Sequence, residues 1–191
     1  MTTSTAPGPV GAMPGIAGLA VRPLDPTLDR DRLRSICPRL SLQSRYQRFF
    51  SGIRGLSTPL LEQLLDIDHD RREALLALDS NDNLVAVARY SASAAQPHDA
   101  DLAVLVADAW QRQGVATHML TILAGLAVER GICTFTAATL LDNQQARSLL
   151  RSFWPDVRAR YAAGCYNYRL PLAACQRTPA NVPTTAHTHR G

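Results

Sequence analysis

The chain has 191 residues, 46% of them hydrophobic, which suits one domain of ordinary size with a sizeable core. Its formal net charge of +4 rests on 20 arginines and no lysine, dispersed along the chain; this tolerates an anionic ligand but excludes a nucleic-acid footprint. Four scattered cysteines (Cys37, Cys133, Cys165, Cys175) and five histidines show no ligand spacing, so neither a disulfide framework nor a metal site is expected, and reduced thiols fit best. There is no basic-then-apolar leader and no apolar run of bilayer length, which predicts a soluble cytoplasmic protein with no membrane partner. Without lysine, the chain carries no side-chain amine of its own.

In chain order, residues 1–18 are small residues with Pro and Gly, lack periodicity, and are expected to be disordered. Residues 19–172 are expected to form the domain, and 173–191 a flexible tail in which His187 and His189 lie in a floppy end. A short strand is predicted at 19–24. A helix at 26–37 places Leu28, Leu33 and Ile36 near helical spacing and ends at Pro38. A second helix at 41–50 has Ser41 as N-cap, and a third at 57–67 has Thr58 as cap with Pro59 at its first position. Strands at 73–79 and 84–92 are joined by "SNDN", the residue chemistry of a hairpin turn. A strand at 101–107 precedes the clearest helix, 114–130, with Val115, Met119, Ile122, Leu123 and Leu126 on one face and Arg130–Gly131 as end signal. A strand at 133–140, a helix at 143–153 with Asp142 as N-cap, and a hairpin about "AAG" complete the series. No internal repeat is present, and no GxGxxG follows the first strand, which argues against dinucleotide binding.

The stretch "WQRQGVATHML" (110–120) joins a hydrophobic strand to that strong helix. The first helical turn carries free backbone N–H groups and the positive end of the dipole, a ready anion site. Gly114 lets the backbone approach a bulky anion. Gln111, Arg112 and Gln113 add side-chain donors, and Thr117 a hydroxyl. A Walker loop needs a lysine here, so a pyrophosphate held by backbone amides fits better than a nucleoside triphosphate.

The segment from Asp101 to Phe153 resembles the core of the GNAT superfamily of N-acetyltransferases. The family loop, Gln/Arg-x-x-Gly-x-Gly/Ala, is matched by Gln111, Gly114 and Ala116, and the family Asn opening the next helix by Asn143. "RLSLQSRYQRFF" (39–50) and "DHDRREALLALD" (68–79) extend the resemblance to the acetyltransferase domain of bacterial protein-lysine acetyltransferases.

The resemblance implies a GNAT fold of α/β (α+β) class, with a mixed, mostly antiparallel sheet and helices on both faces. It implies acetyl-CoA as co-substrate, with no metal. Ala103, Val104 and Leu105 would pair with the pantetheine arm, and a freed N–H near Leu105 would polarise the thioester carbonyl. The loop Gln111, Arg112, Gln113, Gly114, Val115, Ala116 would hold the pyrophosphate; Asn143, Gln144 and Arg151 would contact the rest. Where the lysine acetyltransferases have a catalytic Glu, this chain has Asp101, one methylene shorter, so a water relay fits; Asp99 is the nearby substitute. Leu149 and Leu150 occupy the position of the family's Tyr acid, so no dedicated acid is expected there. Tyr161, Tyr166 and Tyr168 are read as packing residues. The stretch 44–50 would line the acceptor side, with Phe49 and Phe50 as core or lining. His69 is read as a structural histidine, and His118 as facing either phosphate or solvent.

The expected activity is acetyl transfer by direct attack of a primary amine, on a protein lysine or a small molecule. The alternative is a catalytically weak acyl-CoA-binding module. At this length there is no room for an appended regulatory domain, and the oligomeric state is left open.

Overall fold

The computed structural model describes residues 18–172; the expectations for the two ends and for His187 and His189 fall outside those residues. Seven strands form one sheet in the order β1-β2-β3-β4-β5-β7-β6. Strands β1 (Ala20–Pro23), β2 (Arg72–Leu78), β3 (Leu84–Ser93) and β4 (Gln96–Val106) run antiparallel side by side. β5 (Thr134–Leu140) lies parallel to β4, β7 (Cys165–Pro171) is antiparallel to β5, and β6 (Ala159–Ala162) closes the far edge. Helices α1 (Arg30–Ile36), α2 (Leu42–Phe49) and α3 (Thr58–Leu65) link β1 to β2. α4 (Val115–Glu129) is the crossover that parallel strands require, and α5 (Gln144–Phe153) follows β5.

Alternation along the strands feeds two cores. Val87 and Leu105 join Leu33, Ile36, Leu61 and Leu76 in the cluster under α1 and α3. Ala86, Ala88 and Tyr90 join Phe135 and the α4 residues Val115, Met119, Leu120, Leu123 and Ala127 in the other. Burial of each such large side chain contributes about 1.5–3 kcal/mol. The α4 stripe differs from expectation: Ile122 and Leu126 are half-buried, while Leu120 and Ala127 are buried. A helix lying across a twisted sheet buries a broader arc than a single stripe.

Several boundaries move for local reasons. α1 starts at Arg30, not Pro26, because the preceding turn is tied down by Asp29, whose side chain is buried. The Asp29 oxygens accept from both Arg22 terminal nitrogens at 2.6 Å, from Arg32 at 3.0 Å and from the Asp25 N–H at 2.8 Å. Ser57, not Thr58, caps α3, accepting from the Leu60 N–H. Asn143, not Asp142, caps α5, its Oδ1 accepting from the Ala146 N–H at 3.0 Å. β4 begins five residues before Asp101, because the polar 96–100 stretch pairs with β3 and β5 rather than showing strand alternation of its own. Cys37 and Cys165 are free thiols, as expected, but Cys133 is disulfide-bonded, a correction to the reduced-thiol expectation.

Candidate active site

β4 and β5 pair over only three positions: Asp99 with Thr134, Ala100 with Phe135, Asp101 with Thr136. Beyond Asp101 the strands part. The fork opens into a cleft of about 820 Å³, walled by Asp101–Val106 of β4, Thr136–Thr139 of β5 and the first turns of α4 and α5.

Strand parity decides which backbone groups face this cleft. The Ala107 N–H donates to the Val85 carbonyl at 2.7 Å. An antiparallel ladder alternates, so Ala103 and Leu105 also direct their N–H and C=O groups to β3, opposite Arg89 and Val87. Val104 and Val106 direct theirs to the fork. The Val106 carbonyl is taken by the Gln111 side-chain amide at 3.0 Å. The Val104 N–H and C=O and the Val106 N–H therefore line the opening.

The loop meets the cleft at Gly114, the N-cap of α4, whose φ of 83° lies in the left-handed region that glycine adopts without strain. No side chain caps this helix. The N–H groups of Val115, Ala116 and Thr117 are thus uncapped by side chains, and all three residues line the cleft. Both glutamine side chains are engaged in the protein itself: Gln111 Nε2 donates to Ser44 Oγ, the Val106 carbonyl and Asp108 Oδ1, and Gln113 Nε2 to the Ala109 carbonyl at 2.7 Å. Gln113 lies outside the cleft lining, whereas Arg112 and Gln111 line it. Burial opposes it, but hydrogen bonds from Ser44 and Ser41 hold the Asp108 carboxyl below the usual carboxylate range, locking α2 to the loop.

Across the fork, Asn143, Gln144, Gln145 and Ala146 line the wall as the first turn of α5. Asn143 uses its oxygen as the cap, leaving its amide hydrogens unpartnered among the described residues. Arg151, in the last turn of α5, is exposed and outside the lining.

Among the described residues, Asp101 is the sole carboxylate lining the cleft, and no His, Tyr or Cys lines it. It sits at the last paired position of the fork, where Thr136 Oγ1 donates to its Oδ1. Asp99 is instead ion-paired with Arg169 at 2.8 Å. His69 is bonded to buried Glu73 at 3.0 Å, the structural role expected of it, and His118 is outside the lining. Leu149 and Leu150 line the cleft, while Tyr161 and Tyr166 pack edge to face at 5.9 Å. Phe50 lines the cleft and Phe49 packs against the core under α1 and α3.

Thr136, Arg48 and Gln47 were not singled out from the sequence. Nothing local marks Thr136; its place follows from sheet register. Arg48 lies in the stretch 44–50 assigned to the acceptor side, but an arginine on a short polar helix carries no signal of burial.

A cleft at the fork of a mixed sheet, with a helix N-terminus on each side, is the architecture of acyl-transferring enzymes that use CoA. The model of the acetyltransferase (GNAT) family matches residues 40–153. An acetyltransferase of Pseudomonas aeruginosa is 32% identical over 132 residues, covering 68% of this chain and 70% of that protein. The GNAT domain of S. lividans PAT is similar in structure, with TM-score 0.73 and 28% identity over 81% of this chain and 90% of that one. An acetyltransferase of the GNAT family from Streptococcus pneumoniae shares the fold, with TM-score 0.63 and 19% identity over 79% of this chain and 98% of that one. The chain belongs to the GNAT acetyltransferase family, whose co-substrate is acetyl-CoA. No helix among the described residues is long and apolar enough to cross a membrane.

Proposed function

We propose that the protein moves an acetyl group from acetyl-CoA to a primary amine by direct attack, with Asp101 as general base. The observation that carries this reading is the position of Asp101: the sole carboxylate among the described residues lining the cleft stands at the fork, three residues before Val104, whose backbone faces the opening. The donor set fits the co-substrate. The amides of Val115, Ala116 and Thr117, with the α4 dipole, suit the pyrophosphate, and Arg112 adds positive charge. The Val104 N–H and C=O suit an amide of the pantetheine arm. The next fork-facing N–H, that of Val106, suits the thioester oxygen, where charge develops as the carbonyl becomes tetrahedral.

In this reading the amine loses a proton to Asp101, directly or through a water, and its nitrogen bonds the carbonyl carbon. The carbon–sulfur bond breaks, and the departing thiolate takes a proton from the ammonium nitrogen of the tetrahedral adduct or from solvent, leaving the neutral amide. No cysteine lines the cleft among the described residues, which supports a single displacement over an acyl-enzyme. The acceptor is a protein lysine or a small amine, and the site of action the cytoplasm. The test is CoA thiol release across a panel of amines and lysine-bearing proteins, run beside a binding titration with acetyl-CoA. Turnover with at least one acceptor supports the reading. Asp in place of Glu and leucines at the Tyr position favour the second reading, an acyl-CoA-binding module; tight binding with no turnover would establish it instead.

A further inference from the structure

Arg48 is a cleft residue that the acetyl-transfer reading leaves unused. It projects from α2, its guanidinium lies 5.0 Å from the Phe49 ring centroid, and it has neither a hydrogen bond nor a carboxylate partner among the described residues. Arg22, Arg30, Arg32, Arg72, Arg130 and Arg169 hold carboxylates, whereas Arg48 points its free guanidinium at the cleft lining. Arg48 also borders a second, small cavity of about 20 Å³ that shares Ala103 and Leu105 with the cleft. Arg89 also lines that cavity; it is 9% exposed, and among the described residues its terminal nitrogens donate to the Gln63 carbonyl at 3.3 Å. Both arginines thus line the small cavity, Arg48 alone reaches the cleft, and no carboxylate lines the cavity among the described residues. Burial and the nearby Arg89 push the Arg48 guanidinium down to about 10, the direction expected of a cation taken from water beside another cation.

Arg48 is half-buried, and a cation partly withdrawn from water with no acid beside it favours an anion that completes it. Asp101, the one acid of the cleft, is bonded to Thr136. The pyrophosphate is accounted for at the α4 N-terminus, at the loop. We infer that Arg48, the arginine shared by the cleft and the small cavity, docks a carboxylate carried by one of the two reacting partners: the amine acceptor or the acyl group being transferred. This rests on the acyl-transfer reading and narrows its substrates to pairs that bring an anionic group to the reacting end. Arg presents a planar fork matched to a carboxylate, which favours that group over a neutral amide.

The experiment measures kcat/KM for matched pairs. One arm compares 4-aminobutyrate with n-butylamine at fixed acetyl-CoA. The other compares succinyl-CoA with butyryl-CoA at a fixed neutral amine. The expected result is a preference of roughly tenfold or more for the carboxylate in one arm, which identifies the partner that carries it. Arg48→Gln should collapse that ratio toward one, and Arg48→Lys should keep part of it. Equal rates within both pairs, or a ratio that survives Arg48→Gln, would overturn the inference. If no pair turns over, these amines are not acceptors, and the acyl-transfer reading rests on the wider panel of lysine-bearing proteins. The subsite is then read by titration: 4-aminobutyrate against n-butylamine in the CoA-saturated protein, and succinyl-CoA against butyryl-CoA in the free protein. A carboxylate preference that Arg48→Gln removes upholds it, and no preference in either titration overturns it.

Discussion

Replacing Asp101 by Asn removes the sole carboxylate at the fork while keeping its shape. The amide oxygen of Asn can still accept from Thr136 Oγ1, and Asp101 is exposed, so no buried charge is stranded. The change in folding stability should stay within about 0.5 kcal/mol. The backbone groups assigned to acetyl-CoA lie on Val104, Val106 and the first turn of α4, so the KM for acetyl-CoA should hold. What is lost is the proton acceptor. A positioned base contributes roughly 10²–10⁴-fold, about 3–5 kcal/mol of barrier, and kcat should fall by that amount near neutral pH. The deficit should shrink as the pH nears the ordinary amine value of about 10.4, because the acceptor then arrives already deprotonated. The assay is thiol release at saturating acetyl-CoA across that pH range. A variant that keeps most of its neutral-pH rate, or loses the same factor at every pH, refutes Asp101 as base.

Gly114→Ala places a side chain at a φ of 83°, which should cost about 1–2 kcal/mol, distort the first turn of α4 and raise the Kd for CoA measured by calorimetry. Val104→Pro removes an N–H that faces the fork, so circular dichroism should show a folded protein with impaired turnover; Leu105→Pro cuts a bond to β3 and should unfold it. Burial would raise the Asp29 carboxyl, but the bonds from Arg22, Asp25 and Arg32 outweigh that and hold it below the ordinary aspartate range. The folded state thus binds this proton less tightly than the unfolded chain. The stability it confers is present above the ordinary aspartate value of about 3.9 and is lost as the pH falls through the lower folded value. Asp29→Asn should lower stability by about 3–5 kcal/mol by stranding partly buried arginines, and flatten the acid limb of denaturant midpoints against pH.

Much of this site is written in short-range chemistry. The glycine needed at a left-handed N-cap, the apolar run of α4 and the Asn that opens α5 each act within a few residues, and each lies where the sequence indicates. The caps of α3 and α5 fall one residue from expectation, because Ser57 and Thr58, or Asp142 and Asn143, are adjacent residues of equal chemistry; only geometry chooses between them. The loop glutamines illustrate a different limit. Their amides read as donors for a ligand, yet they hold the loop to Ser44, Val106, Asp108 and Ala109, contacts that exist only once α2 and β4 have packed.

The sequence by itself determined the identity and order of the elements and the anion-ready turn at Gly114, because periodicity and backbone torsion are local. The tertiary structure alone decided that Thr136 meets Asp101 across 35 residues of chain, that Val104 and Val106 rather than Ala103 and Leu105 turn their amides to the fork, and that Arg48 stands without an acid. Those facts depend on strand register and helix docking. A one-residue slip in register would reverse every one of the backbone assignments while leaving the local pattern unchanged.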